Sequence, residues 1–248
     1  YAKDSWTGYH RYISFTSRPD IFIILHNNSC VIAYQICPVT NTEYQLKSIE
    51  ICPKQKENHT EESIEDFVIS GKFLYTLKFG GSLNKIDISS IIKGDLNSKD
   101  CYKLIKSSAP LAKMKDSSSK IKCFTSISCS DKYLFCGFDL SDKKVGFALY
   151  AKQNLKLLDQ IELDSPQDST QKIEPANLDR LQCFWALSVR EVINLFAVHR
   201  KRIICLVKSN HLCPYANNNC MALNDGRIII MSSDSSNNKE VIMYRAEW

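Results

Sequence analysis

One phrase recurs along this chain. Lys72-Phe73-Leu74-Tyr75 follows Val68-Ile69-Ser70-Gly71, and further on Lys132-Tyr133-Leu134-Phe135 follows Ile127-Ser128-Cys129-Ser130-Asp131. Weaker echoes sit at Asp20-Ile21-Phe22-Ile23, at Arg190-Glu191-Val192-Ile193 and at Asp225-Gly226-Arg227-Ile228-Ile229-Ile230. Each copy is a short alternating run, a polar turn and a more continuous apolar run. Alternation marks a strand with one wet face, and a continuous run marks a strand covered on both. A unit this small cannot bury its own apolar surface, so its copies must stack on one another.

The pattern predicts an all-β fold, a β-propeller of about five visible four-stranded blades. The blades fall at 12–53, 63–106, 121–164, 181–213 and 219–248, within a single domain over 1–248. The third is the clearest, with strands at Ile121–Ser128, Tyr133–Phe138, Val145–Tyr150 and Leu155–Leu163. In the second, Gly80-Gly81 makes a turn and Ser89–Asp100 reads as an insertion with a short helical turn. Asp164–Asp179 is polar, carries Pro166 and Pro175, and reads as a long loop. The fourth blade then starts at Leu181, and Ser209–Asn219 is left to supply its outer strand. The fifth shows three strands. Either residues 1–12 complete it and close the ring, or these are blades of a six- or seven-bladed ring that begins upstream of Tyr1.

This layout resembles the WD40-like propeller superfamily over nearly the whole chain, in architecture rather than motif. The Gly-His and Trp-Asp dipeptides of WD40 repeats are absent, and the double glycine of kelch repeats is matched once, at Gly80-Gly81. The arginine pair of autophagy-type lipid-binding propellers is not reproduced by Val198-His199-Arg200-Lys201-Arg202. The resemblance implies a fold and a role in presenting loops from a stiff frame, not a chemistry.

Composition narrows the function classes. Hydrophobic residues at 44% exclude a disordered chain, and a formal charge of +5 permits an acidic partner without demanding nucleic acid. The odd total of 11 cysteines, with no CxxC pair, argues against a disulfide framework and for a reducing, intracellular compartment, cytoplasmic or nuclear. Cys205, His211, Cys213 and Cys220 form the nearest thing to a ligand cluster, but their irregular spacing reads as buried thiols rather than a zinc site. No run is long enough for a transmembrane segment, and no signal peptide is evident. With 8 glycines and no G-x-S-x-G, neither a phosphate loop nor a nucleophile elbow is in view, and no cofactor or metal is expected.

The densest charge is His199-Arg200-Lys201-Arg202, at a tight turn between two apolar strands. A solvated turn is the plain reading, and the functional one is a partner-binding contact. The expected role is therefore a non-catalytic scaffold whose partners are proteins in a multi-subunit intracellular complex. One alternative is a five-bladed glycoside hydrolase using channel carboxylates such as Asp66, Asp139 and Asp164. Another is RNA or anionic-lipid binding through the basic turn. Phe124, Phe184 and Trp185 fall inside strands and are expected to pack blade against blade.

Overall fold

A computed structural model describes residues 10–26, 30–40, 44–52, 63–97, 100–111, 114, 119–141, 144–164, 170–178, 181–188, 193–208, 216–222, 227–233 and 239–245. They are organised as two compact units, Tyr1–Pro110 and Leu111–Trp248.

The first unit holds two four-stranded antiparallel meanders. Sheet one is β1 (His10–Phe15), β2 (Ile21–His26), β3 (Cys30–Pro38) and β4 (Tyr44–Cys52). Sheet two is β5 (Ile64–Ser70), β6 (Phe73–Lys78), β7 (Leu83–Asp87) and β8 (Lys103–Ser107). The second strands, β2 and β6, are mostly buried and the last strands are wet, as the apolar patterning predicts: Ile21, Ile23 and Leu25 are buried, whereas every residue of β8 is exposed. Ile21, Ile23, Leu25, Val31 and Ala33 of sheet one meet Phe67, Leu74 and Ile86 of sheet two in one core. The expected helical turn is α1 (Ser89–Ile92); Ile91 enters this core, and Asp87 accepts the Ser89 N–H at 2.8 Å.

His10 to Tyr12 belong to β1 and pair with β2, while residues 1–9 of the expected closing segment lie outside the described residues. Near the start of β2, the Arg18 guanidinium forks onto the Asp20 carboxylate, with Arg18 Nε donating to Oδ1 at 2.9 Å, and Gln35 Nε2 donates to Oδ2 at 3.2 Å. Gly94 (φ +95°) makes room for this cluster, because a Cβ there would stand 2.9 Å from Arg18 Nη1.

The second unit holds three sheets. Sheet three is β9 (Ile121–Cys129), β10 (Tyr133–Leu140), β11 (Lys144–Ala151) and β12 (Lys156–Asp164). Sheet four is β13 (Thr170–Leu178), β14 (Leu181–Ser188), β15 (Ile193–His199) and β16 (Arg202–Lys208). Sheet five has three strands among the described residues, β17 (Ala216–Ala222), β18 (Arg227–Ser233) and β19 (Lys239–Arg245). The first strands of these sheets are neighbours, β13 packing against both β9 and β17.

Two expectations are corrected here. Much of the stretch read as a long loop is β13, which supplies the first strand of sheet four. Leu181–Ser188 is therefore its second strand, and Arg202–Lys208 its last. Ser209–Asn219 is not needed for this sheet: 209–215 lie outside the described residues, and Ala216–Asn219 opens β17. Pro175 misled the reading because a proline argues against a central strand. β13 is an edge strand, where a missing N–H is tolerated.

Sheets three and four share an aromatic core. Phe135 of β10 stacks on Phe184 of β14 with centroids 4.7 Å apart and planes at 7°. Phe147 and Phe196 complete the group, at 5.5 Å from Phe135 and 4.5 Å from Phe147 respectively. Ile173, Ala186, Val198 and Ile203 surround it. Phe124, Phe184 and Trp185 are all buried. Within sheet three, Phe138 lies across from Gly146, and its ring would be 1.9 Å from a Cβ placed there.

Two outcomes follow. Gly146→Ala forces the Phe138 ring out of its well and should lower stability by about 2 kcal/mol or more in urea unfolding, given the usual cost of overpacking. The Asp20 carboxyl is held below its ordinary range, first by the hydrogen bond from Arg18, against burial, with Gln35 adding to the effect. Its folded value is depressed, so the stability it contributes is present above the unfolded value of about 3.9 and is lost as pH falls through the folded one. Asp20→Asn should therefore be less stable than the parent at neutral pH, with the gap closing on acidification in pH-resolved urea melts.

Candidate functional site: a basic rim on sheets three and four

The turn between β15 and β16 has two central residues, Arg200 and Lys201, flanked by the directly paired His199 and Arg202. All four are exposed. Arg200 and Lys201 both adopt positive φ, 49° and 65°. Tight hairpins of this hand favour Asn-Gly because L side chains other than glycine and asparagine are strained there. The base of the turn is gripped from the neighbouring sheet by Asp159 of β12. Its Oδ2 accepts the Ile203 N–H at 2.8 Å, and its Oδ1 accepts Arg202 Nη1 at 3.0 Å. The Asp159 side chain is 10% exposed and Arg202 76%, so a nearly buried carboxylate holds a largely solvated guanidinium.

Two turns of sheet three lie at the same end. Antiparallel order places the β9–β10 turn and the β11–β12 turn together, and the Lys152 N–H donates to the Lys132 carbonyl at 3.0 Å. The Ser130 hydroxyl donates to Gln182 Oε1 at 2.6 Å, and Gln182 pairs with Val198 just before the basic turn. Lys152 Nζ donates to the Ser130 carbonyl at 2.6 Å. Lys132 and Lys156 are exposed on these turns. The four residues predicted from sequence thus stay together, but in two roles. Arg202 is tied to Asp159, whereas Arg200 and Lys201 are held outward by the backbone. Sequence reasoning missed Lys132, Lys156, Asp159 and Gln182. The repeat contained a signal for the first two, since corresponding turns of adjacent repeats emerge at the same end.

The other candidates are placed as follows. Asp66 is buried in the first unit and accepts the Phe67 N–H at 2.7 Å. Asp139, in the second unit, accepts from the Cys123 thiol at 3.7 Å, and the Asp164 side chain lies outside the described residues. Cys205 packs against the aromatic core, and His211 and Cys213 lie outside the described residues. Among the described residues, no group of three or more His, Cys, Asp or Glu side chains is placed to hold a metal ion, and no helix is long and apolar enough to cross a membrane. The cysteines whose side chains are described are thiols rather than disulfides, and burial pushes Cys183 up to about 11.

No protein-family model matches the chain, and no curated protein matches its sequence. Solved structures do match its fold. The β-propeller domain of Myceliophteria thermophila Cps50 (Swd1) aligns with a TM-score of 0.55 at 10% identity, over 93% of this chain and 68% of that one. A chain of the mitotic checkpoint complex aligns with a TM-score of 0.51 at 8% identity, over 97% of this chain and 76% of that one. The fold is that of a β-propeller, and the sheets are its blades.

Replacing Arg200-Lys201 with Asn-Gly removes two strained residues. The double variant should be more stable than the parent by about 1–2 kcal/mol in urea unfolding. Loss of stability would mean that the turn's side chains make contacts that outweigh the backbone strain.

Proposed function

We propose that this protein is a non-catalytic protein-interaction scaffold, a propeller subunit of a larger intracellular assembly. The observation that carries the reading is the basic turn at His199–Arg202, exposed at its tip and fixed at its base by Asp159 across two packed blades. A recognition surface gains affinity when its loops are ordered before binding, and this turn is ordered by the frame that carries it. The architecture supports the same reading: one structural neighbour is a chain from a checkpoint complex, and the other is a β-propeller domain.

The test is the hydrodynamic state of the full protein in native cell extract. It should sediment with a larger assembly at physiological ionic strength. Arg200→Glu with Lys201→Glu should shift it toward the monomer without changing its thermal unfolding. Recovery as a lone monomer at every ionic strength tried would end the scaffold reading.

A further inference from the structure

We propose that the three turns at one end of blades three and four form a single docking surface for an acidic, Asp/Glu-rich segment of a partner protein. This deepens the scaffold reading and rests on it. The turns at 129–133, 151–156 and 199–202 are joined by the Lys152–Lys132 backbone bond, the Ser130–Gln182 bond and the Asp159 grip on Arg202 and Ile203. They form a continuous rim rather than three separate loops.

The exposed charge on that rim is predominantly positive. Among its described residues, Lys132, Lys156, Arg200, Lys201 and Arg202 are exposed cations, against Asp131 as the one exposed carboxylate. Asp159 is nearly buried and already engaged. Opposed charge across an interface sets register and speeds encounter. The rim also contains a sample of the ligand chemistry it would accept. Arg202 takes a carboxylate at 3.0 Å from one side of its guanidinium, and a guanidinium carries five donors, so further N–H groups remain for a second carboxylate.

Two details favour a polypeptide over other polyanions. Single-stranded RNA is held largely by stacking on aromatic platforms, and none of the described residues of these turns is an exposed aromatic. Ile204, two residues along β16 from Arg202, is 42% exposed and offers an apolar foothold beside the charge. The strain at Arg200 and Lys201 fits the same reading. A turn selected for stability alone would carry Asn-Gly, and strained residues held by a rigid surround mark places where side-chain position matters.

The experiment measures binding of a labelled Asp/Glu-rich peptide to the full protein by fluorescence anisotropy at two salt concentrations. Oligouridylate and equimolar phosphatidylcholine–phosphatidylserine vesicles are the competing probes. The peptide should bind, and salt should weaken it. Arg200→Asn with Lys201→Gly, and separately Lys132→Gln with Lys156→Gln, should each weaken it by about tenfold. The first pair keeps the turn folded, so a loss there reads charge and not unfolding. No peptide binding, an affinity unchanged from the parent in either variant, or tighter binding to oligouridylate or vesicles overturns the proposal. Sedimentation of the parent separates the two readings. An assembly that persists while the peptide fails removes this surface and leaves the scaffold standing; a lone monomer removes both.

Discussion

Face-to-face packing of small twisted sheets is the constraint on which the rest depends. In the second unit it is concentrated in Phe135, Phe147, Phe184 and Phe196, two from each of two blades. No blade can cover these rings alone, since each sheet is a single layer. The stack at 4.7 Å between Phe135 and Phe184 therefore joins the blades as well as filling space. Polar ties lie toward the rim of the same interface. Ser130 reaches Gln182, and Asp159 reaches Arg202 and Ile203, so buried rings set the separation of the blades and hydrogen bonds set their turns. The first unit follows the same logic with aliphatic residues, its core lined by Ile21, Ile23, Leu25 and Leu74.

Much of this was legible in the sequence because burial and period are coupled. A strand covered on both sides must be apolar at successive positions, so Phe73–Lys78 and Tyr133–Leu140 were visible as runs. β11, beside Tyr133–Leu140, is another such run, buried from Val145 to Tyr150, whereas the last strand of sheet two, β8, is exposed throughout. The weak point was the first strand of a blade. Thr170–Leu178 carries Thr, Gln, Lys, Glu, Asn and Pro and has no apolar run. Its membership in sheet four is fixed by a ladder with Leu181–Ser188, and pairing across a turn leaves little trace in composition.

The candidate site was half legible. Four consecutive residues of unusual composition mark His199–Arg202, and the apolar strands on either side mark a turn. What a linear reading cannot supply is the neighbour in space. Asp159 lies forty residues or more upstream of the groups it holds, and nothing around it announces the partnership. Its effect is to divide the basic run. Arg202 becomes part of the joint between blades, and Arg200 and Lys201 remain for display.

Pro175 has a consequence beyond its misleading appearance. The ladder from β13 to β14 runs without a shift from Lys172 to Leu178, so pairing continues on both sides of the proline. A bare sheet border is a template for any extended chain that drifts by, including another copy of the same protein. Proline on an edge strand is one of the devices by which sheets blunt such pairing, and β13 carries one.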